Sequence, residues 1–259
     1  MFKYLLLVPV FIMINYELFG QNVISEFRKD SVKTIAEYKF YNGFVNDSTF
    51  SVVRTCNVYM GKTGWVSDSE IETLDSYIKR NSSNTDTRSL DSSMIGQIVN
   101  NPIIVNSLHL VVLKKYNDPA YYKYAVGNQK ELLIIDTALF KWKLTEEFKT
   151  IGIYKCQKAI ITQSTNIISA WFTDEIPVNA GPSYIYGLPG LIVEYVNPEK
   201  HVCYKIAKIS SVTITSKNKF RELPDAQMVS KSEFNKIVAE DQKKIEEMKM
   251  MIKDGKINN

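Results

Sequence analysis

Much of the chain sets apolar residues against polar ones at the short period of a half-buried strand. From Val32 to Val45 aromatic and β-branched residues recur with partial alternation, which predicts an opening strand. Phe50 to Met60 repeats the pattern, and Gly61 and Gly64 close it. Ser69 to Arg80 changes period: Ile71, Leu74, Tyr77 and Ile78 share one helical face behind Ser69 as a cap, which predicts a short helix. Asn81 to Ser93 is rich in Ser, Thr, Asn and Asp and reads as a loop. Ile103 to Lys114 predicts another strand, ended by the turn Asn117-Asp118-Pro119. Further strands are expected over Tyr121–Ala125, Glu131–Asp136, Lys141–Leu144, Ile151–Thr162, Ile167–Thr173, Gly190–Val196 and Val202–Val212. Several of these neighbours are separated by only a few turn residues. Such short links join antiparallel hairpins and meanders, because a parallel crossover needs a dozen residues or more. The end of the chain differs. Ser230-x-x-Glu233 is a capping box, and Phe234, Ile237, Val238, Ile245, Met248 and Ile252 fall near helical spacing, so a long helix is expected over about 230–253.

Composition narrows the class. The chain has 259 residues, is 45% hydrophobic and 23% charged, and carries a net charge of +4. That is globular composition with mild charge, and the scattered Lys and Arg form no stripe of the kind nucleic acid requires. The N-terminus adds a compartment. Lys3 precedes an apolar run from Tyr4 to Met13, and Leu18-Phe19-Gly20 follows, so residues 1–20 read as a cleaved secretory signal. The remainder, 21–259, is expected to form one domain with no membrane-spanning segment, exported to the periplasm or secreted. Three cysteines remain, Cys56, Cys156 and Cys203, and an odd number leaves at least one thiol unpaired or intermolecular.

The most structured stretch runs from Tyr154 to Tyr195. It contains Tyr154-Lys155-Cys156-Gln157-Lys158-Ala159, Ala170-Trp171-Phe172-Thr173, Glu175-Ile176-Pro177, Gly181-Pro182, and Gly187-Leu188-Pro189-Gly190-Leu191-Ile192 with Glu194 after it. Pro177, Pro182 and Pro189 fix φ and push their predecessors away from helix, while Gly181, Gly187 and Gly190 permit positive φ or a close backbone approach. Leu188-Pro189-Gly190 suits a type II turn, with Pro at its second position and Gly at its third. Two strands joined by a Pro-stiffened loop are expected.

This order of motifs, with Trp142 upstream, resembles the GLPGLI family of exported bacterial proteins, named for the hexapeptide. The resemblance covers about Asp118 to Ile209 and, with less detail, the helical tail; the N-terminal third, around Arg54-Thr55-Cys56-Asn57-Val58-Tyr59, departs from the pattern. It implies export from a Gram-negative bacterium and assigns no reaction.

Candidate chemistry is sparse. His109 and His201 are the two histidines available as a base. His109 lies in an apolar strand and reads as a packed residue. His201 and Cys203, two residues apart, would share a strand face and form at most half of a soft-metal site. Cys156 and Cys203 flank the central motif and are candidates for a disulfide, the alternative being two small buried hydrophobes. Asp174 and Glu175, as strand neighbours, would face apart and not act jointly. Gly187-x-x-Gly190 lacks the Lys and Ser/Thr of a phosphate loop. No cofactor is implied.

The expectation is an α+β fold, mainly antiparallel β, with one large curved sheet or half-open barrel, packed helices and a long C-terminal helix. Two functions fit it. One is a non-enzymatic binding or accessory protein for a hydrophobic small molecule or an envelope protein. Its binding loop would be the motif, with Trp171, Pro177, Gly181, Pro182, Gly187, Leu188, Pro189, Gly190 and Glu194. The other is a secreted enzyme or protease-associated factor, which would need a pocket converging on His109 or His201.

Overall fold

A computed structural model describes residues 21–42, 52–70, 109–127, 130–137, 140–163, 166–212 and 218–253. The expected signal over 1–20, the loop over Asn81–Ser93 and the predicted helix beyond Glu70 lie outside the described residues.

Among the described residues, one open sheet of twelve strands forms the body of the protein. In chain order its strands are β1 (Thr34–Asn42), β2 (Val52–Met60), β3 (Gly64–Glu70), β4 (His109–Lys115), β5 (Tyr121–Gly127) and β6 (Lys130–Asp136). They continue as β7 (Lys143–Ile151), β8 (Tyr154–Gln163), β9 (Asn166–Thr173), β10 (Leu191–Asn197), β11 (Val202–Ser211) and β12 (Gln227–Ser230). Helix α1 spans 21–29, before β1, and helix α2 spans Lys231–Lys253. Across the sheet the order is β12-β6-β5-β4-β3-β2-β1-β11-β10-β9-β8-β7. Two antiparallel meanders, β1 to β6 and β7 to β11, therefore meet where β1 pairs with β11, from Thr34↔Ser211 to Asn42↔Val202. The short links of the sequence produce this arrangement, and β12 is the exception, pairing parallel with β6. Register shifts at Glu37/Tyr38 and Phe40/Tyr41 in β1, and at Ile192/Glu194 in β10, add local twist and bend the sheet.

Strand alternation assigns the two faces. Ala36, Tyr38, Cys56, Val58, Trp65, Leu110, Val112, Tyr121, Ala170 and Phe172 point to one face and join the larger core. On that face the segment between β9 and β10 packs back over the strands, contributing Ala180, Ile185, Tyr186 and Leu188. Val66, Leu113, Tyr122, Tyr124 and Leu133 point the other way, under Val23, Ile24 and Phe27 of α1 and under Phe220, Leu223 and Ala226. Phe27 meets Phe220 edge-on, with ring centroids 5.4 Å apart.

Three elements were not expected. Val23, Ile24 and Phe27 are spaced for one helical face, but they follow directly on the presumed signal. β3 turns Trp65, Ser67 and Ser69 to the face of the larger core; past Trp65 the positions on that face are serines, so the run reads as polar and as a helix cap. β12 is four residues long, too short for a periodic signal. α2 begins as its capping box dictates. Ser230 donates its hydroxyl and its backbone N–H to the Glu233 carboxylate at 2.7 and 2.8 Å, and Glu233 N–H returns a bond to Ser230 Oγ at 3.2 Å. Phe234 and Ile237 then pack on Ala125, Leu132, Ile134 and Val229 at the β6 end of the sheet.

Candidate functional site

Residues 174–190 lie down on the sheet and are tied to it by a ladder of specific bonds. Leu191 N–H reaches back to Ile176 O at 3.1 Å, and Ile192 N–H to Ala180 O at 2.9 Å. The fully buried Trp65 of β3 donates its indole N–H to Asn179 O at 2.8 Å. Ser183, held at φ 58°, donates its N–H to Ser67 Oγ at 2.8 Å. Tyr38 donates to Ile192 O at 2.6 Å, and Trp142 to Tyr186 O at 2.9 Å. Burial raises the Tyr38 phenol, which therefore stays a neutral donor. Rings fasten the outer half of the loop: Tyr184 stacks on Tyr121 at 5.8 Å, Tyr186 meets Phe140 edge-on at 5.8 Å, and the Lys114 ammonium sits 4.9 Å over the Tyr186 ring.

The hexapeptide works differently from the expected type II turn. Gly187 carries the positive φ, 103°, and its N–H meets Asn179 Oδ1 at 2.5 Å. Gly190 is not among the positive-φ residues, which a type II turn at Leu188 would demand. It is held instead by proximity: a Cβ placed there would lie 2.0 Å from Thr173 O and 2.6 Å from its carbonyl carbon. Leu188 is buried at the centre of this arrangement and Pro189 faces solvent.

Between the loop and the sheet lies a cavity of about 160 Å³. Phe40, Cys56, Ser69 and Leu110 line it from β1 to β4; Tyr195, Val202 and Tyr204 line it from β10 and β11; the loop adds Ser183 and Ile185. Cys56 forms part of its wall. Ser69 Oγ donates to Cys56 Sγ at 3.0 Å, and Ser67 Oγ lies 3.3 Å from the same sulfur. Burial outweighs these bonds and pushes the thiol up, opposite to what a nucleophile needs. Burial raises the Tyr204 phenol as well. At the mouth stands Lys200, in the β10–β11 turn.

The residues picked from the sequence separate. Gly181, Pro182, Leu188 and Gly190 are buried within the loop, whereas Pro177, Gly187 and Pro189 face outward. Trp171 and Glu194 project to the other face of the sheet, where Lys149 lies 4.3 Å over the Trp171 ring and 3.3 Å from Glu194. The nine therefore do not form one constellation. His201 sits in the turn before β11 at φ 51°, so it does not share a strand face with Cys203. Among the described residues no three of His, Cys, Asp and Glu come together as metal ligands would. The disulfide is corrected too. Cys156 is on β8 and Cys203 on β11, with β9 and β10 between them, on the order of 14 Å at strand spacing against the ~7 Å Cα limit of a bridge. All three cysteines are free and buried. Glu175 is structural, accepting the Lys155 N–H at 2.7 Å.

These thiols give a direct check. Burial raises Cys156, and raises Cys203 to about 11. Native protein at pH 8 is expected to react slowly with a thiol reagent and denatured, unreduced protein to yield three thiols; a yield of one would restore a disulfide.

The fold and the matched sequence point the same way. The family model described as N-glycanase peptide, N-terminal domain, matches residues 96–230, more than half of the chain. The chain belongs to this family. Its matched part starts in the segment before β4 and ends with β12, so it takes in the motif loop and most of the cavity wall. Two solved structures of PNGF-II, in the C2 and P21 space groups, share the fold, each with a TM-score of 0.54 and 14% identity. They cover 80% and 81% of this chain, which spans 33% and 34% of theirs, about a third of the length of the proteins it matches. No curated protein matches the chain. No described helix is long and apolar enough to cross a membrane.

Proposed function

We propose that this chain is a non-enzymatic binding or accessory module of an exported bacterial protein, which takes a small hydrophobic group into the cavity beneath the motif loop. The cavity itself carries the reading. It is walled by Phe40, Leu110, Ile185, Val202 and three tyrosines, and at about 160 Å³ it matches a single ring, since a dry cavity of roughly 150 Å³ accepts benzene. A hydrolytic reading finds little to use there: among the described residues no histidine or carboxylate lines the space, and the thiol of Cys56 is pushed up by burial. The family is described by its place at the N-terminus of N-glycanases, and this chain spans a third of the PNGF-II structures. That relation supports a module that assists chemistry performed elsewhere. Export rests on the leader-like residues 1–20 and on the GLPGLI resemblance of Tyr154 to Glu194.

The test is a neutral ring. Benzyl alcohol is expected to give saturation-transfer NMR signals with the wild type. Val202→Trp, which fills the cavity from its β11 wall, is expected to lose them while keeping the wild-type circular dichroism. Absence of binding to the wild type at millimolar concentrations, or equal binding to a folded Val202→Trp, overturns the reading.

A further inference from the structure

The described residues lining the cavity carry one sign of charge. Among the described residues that line it, Lys200 is the charged one, and none of them is Asp or Glu. Its ammonium makes no ion pair among the described residues, whereas Lys149, Lys158, Lys219 and Lys231 each sit against a carboxylate. The backbone fixes where Lys200 stands. Asn197, itself buried, accepts the Lys200 N–H on Oδ1 at 3.1 Å, and His201 N–H closes the turn on Pro198 O at 3.2 Å. The same Asn197 donates Nδ2 to the Tyr195 phenol oxygen at 3.3 Å. That bond uses Tyr195 as an acceptor and leaves its O–H without an acceptor among the described residues. Burial raises the Tyr195 phenol, so it remains protonated and able to donate. One buried amide thus links the backbone of Lys200 and the Tyr195 phenol at the edge of an apolar, ring-sized space.

We infer that the ligand is a small organic acid, its apolar group in the cavity and its carboxylate held by Lys200 and the Tyr195 hydroxyl. This rests on the binding reading above and narrows it to a ligand class. A cation would meet Lys200 with nothing to neutralise it. A neutral ligand would leave both donors dependent on water at the rim. A carboxylate accepts from both.

Phenylacetate and 2-phenylethanol share the ring and differ in charge, so their affinity ratio isolates the mouth from the cavity. By titration calorimetry in low salt, the wild type is expected to prefer phenylacetate about five-fold, as suits an exposed ion pair aided by one hydrogen bond. Lys200→Gln is expected to bring the ratio near one, Lys200→Arg to keep it, and Tyr195→Phe to reduce it. Rising salt should shrink the preference in the wild type and leave it flat in Lys200→Gln. Equal affinities in the wild type, or an unchanged ratio in Lys200→Gln, overturns the inference while leaving the cavity reading intact. Failure of both probes to bind overturns the cavity reading itself.

Discussion

Replacing Gly190 with valine is expected to lower the melting temperature by about 6–12 °C, the consequence of a penalty near 3 kcal/mol in a protein of this size. The reason is the contact with β9. Any Cβ at this position would stand 2.0 Å from Thr173 O, and that neighbour is backbone, so no rotamer change relieves it. The start of β10 and the end of β9 would have to separate, disturbing the pair Leu191↔Thr173 from which the rest of the strand is registered. Pro189→Ala provides the contrast. Pro189 is exposed, and removing its ring acts chiefly through the unfolded chain, at about 0.5–1 kcal/mol. Thermal denaturation of the two single variants separates the contributions. A Gly190→Val protein that melts with the wild type would show that the hexapeptide is not held by close approach.

Trp65→Ala is expected to cost more, about 3–5 kcal/mol, because it empties a fully buried indole and leaves Asn179 O without its donor. Trp65 faces Tyr186 at 6.4 Å, so its loss removes a support of the loop as well as a bond. Trp65→Phe keeps much of the volume and deletes the N–H, and about 1–3 kcal/mol of the total is expected to survive in that variant. Chemical denaturation with both variants apportions packing and hydrogen bonding. If Trp65→Phe is as stable as the wild type, the indole bond does not anchor the loop.

What could be read beforehand follows from how local each determinant is. The capping box at Ser230 and Glu233 acts across one turn, so α2 was visible in four letters. The strands of the second meander carry dense β-branched and aromatic text with short links, and β8 to β11 appeared close to where they were expected. β3 hid because Ser67 and Ser69, buried against Cys56, look like surface residues until their partner strand is known. The stiffness of the motif was legible and its mechanism was not. Gly190 is defined by Thr173, seventeen positions away in sequence and packed directly against it in space. The cavity is still less local. Cys56 and Ser69 come from one meander, Tyr195, Lys200 and Tyr204 from the other, and only the β1–β11 pairing brings them to one place.

That pairing has a consequence for how the protein assembles. Thr34 and Ser211 lie far apart in sequence, so among the described strand pairings closing the seam carries the largest loop-entropy cost. Each meander can form from near neighbours first. The bonds from Trp65 to Asn179 and from Ser67 to Ser183 span the two meanders and have no partners until the seam exists. On that order of assembly the motif loop would close behind the transition state. Changes in it should act on the rate at which the native protein comes apart, with little effect on the rate at which it forms.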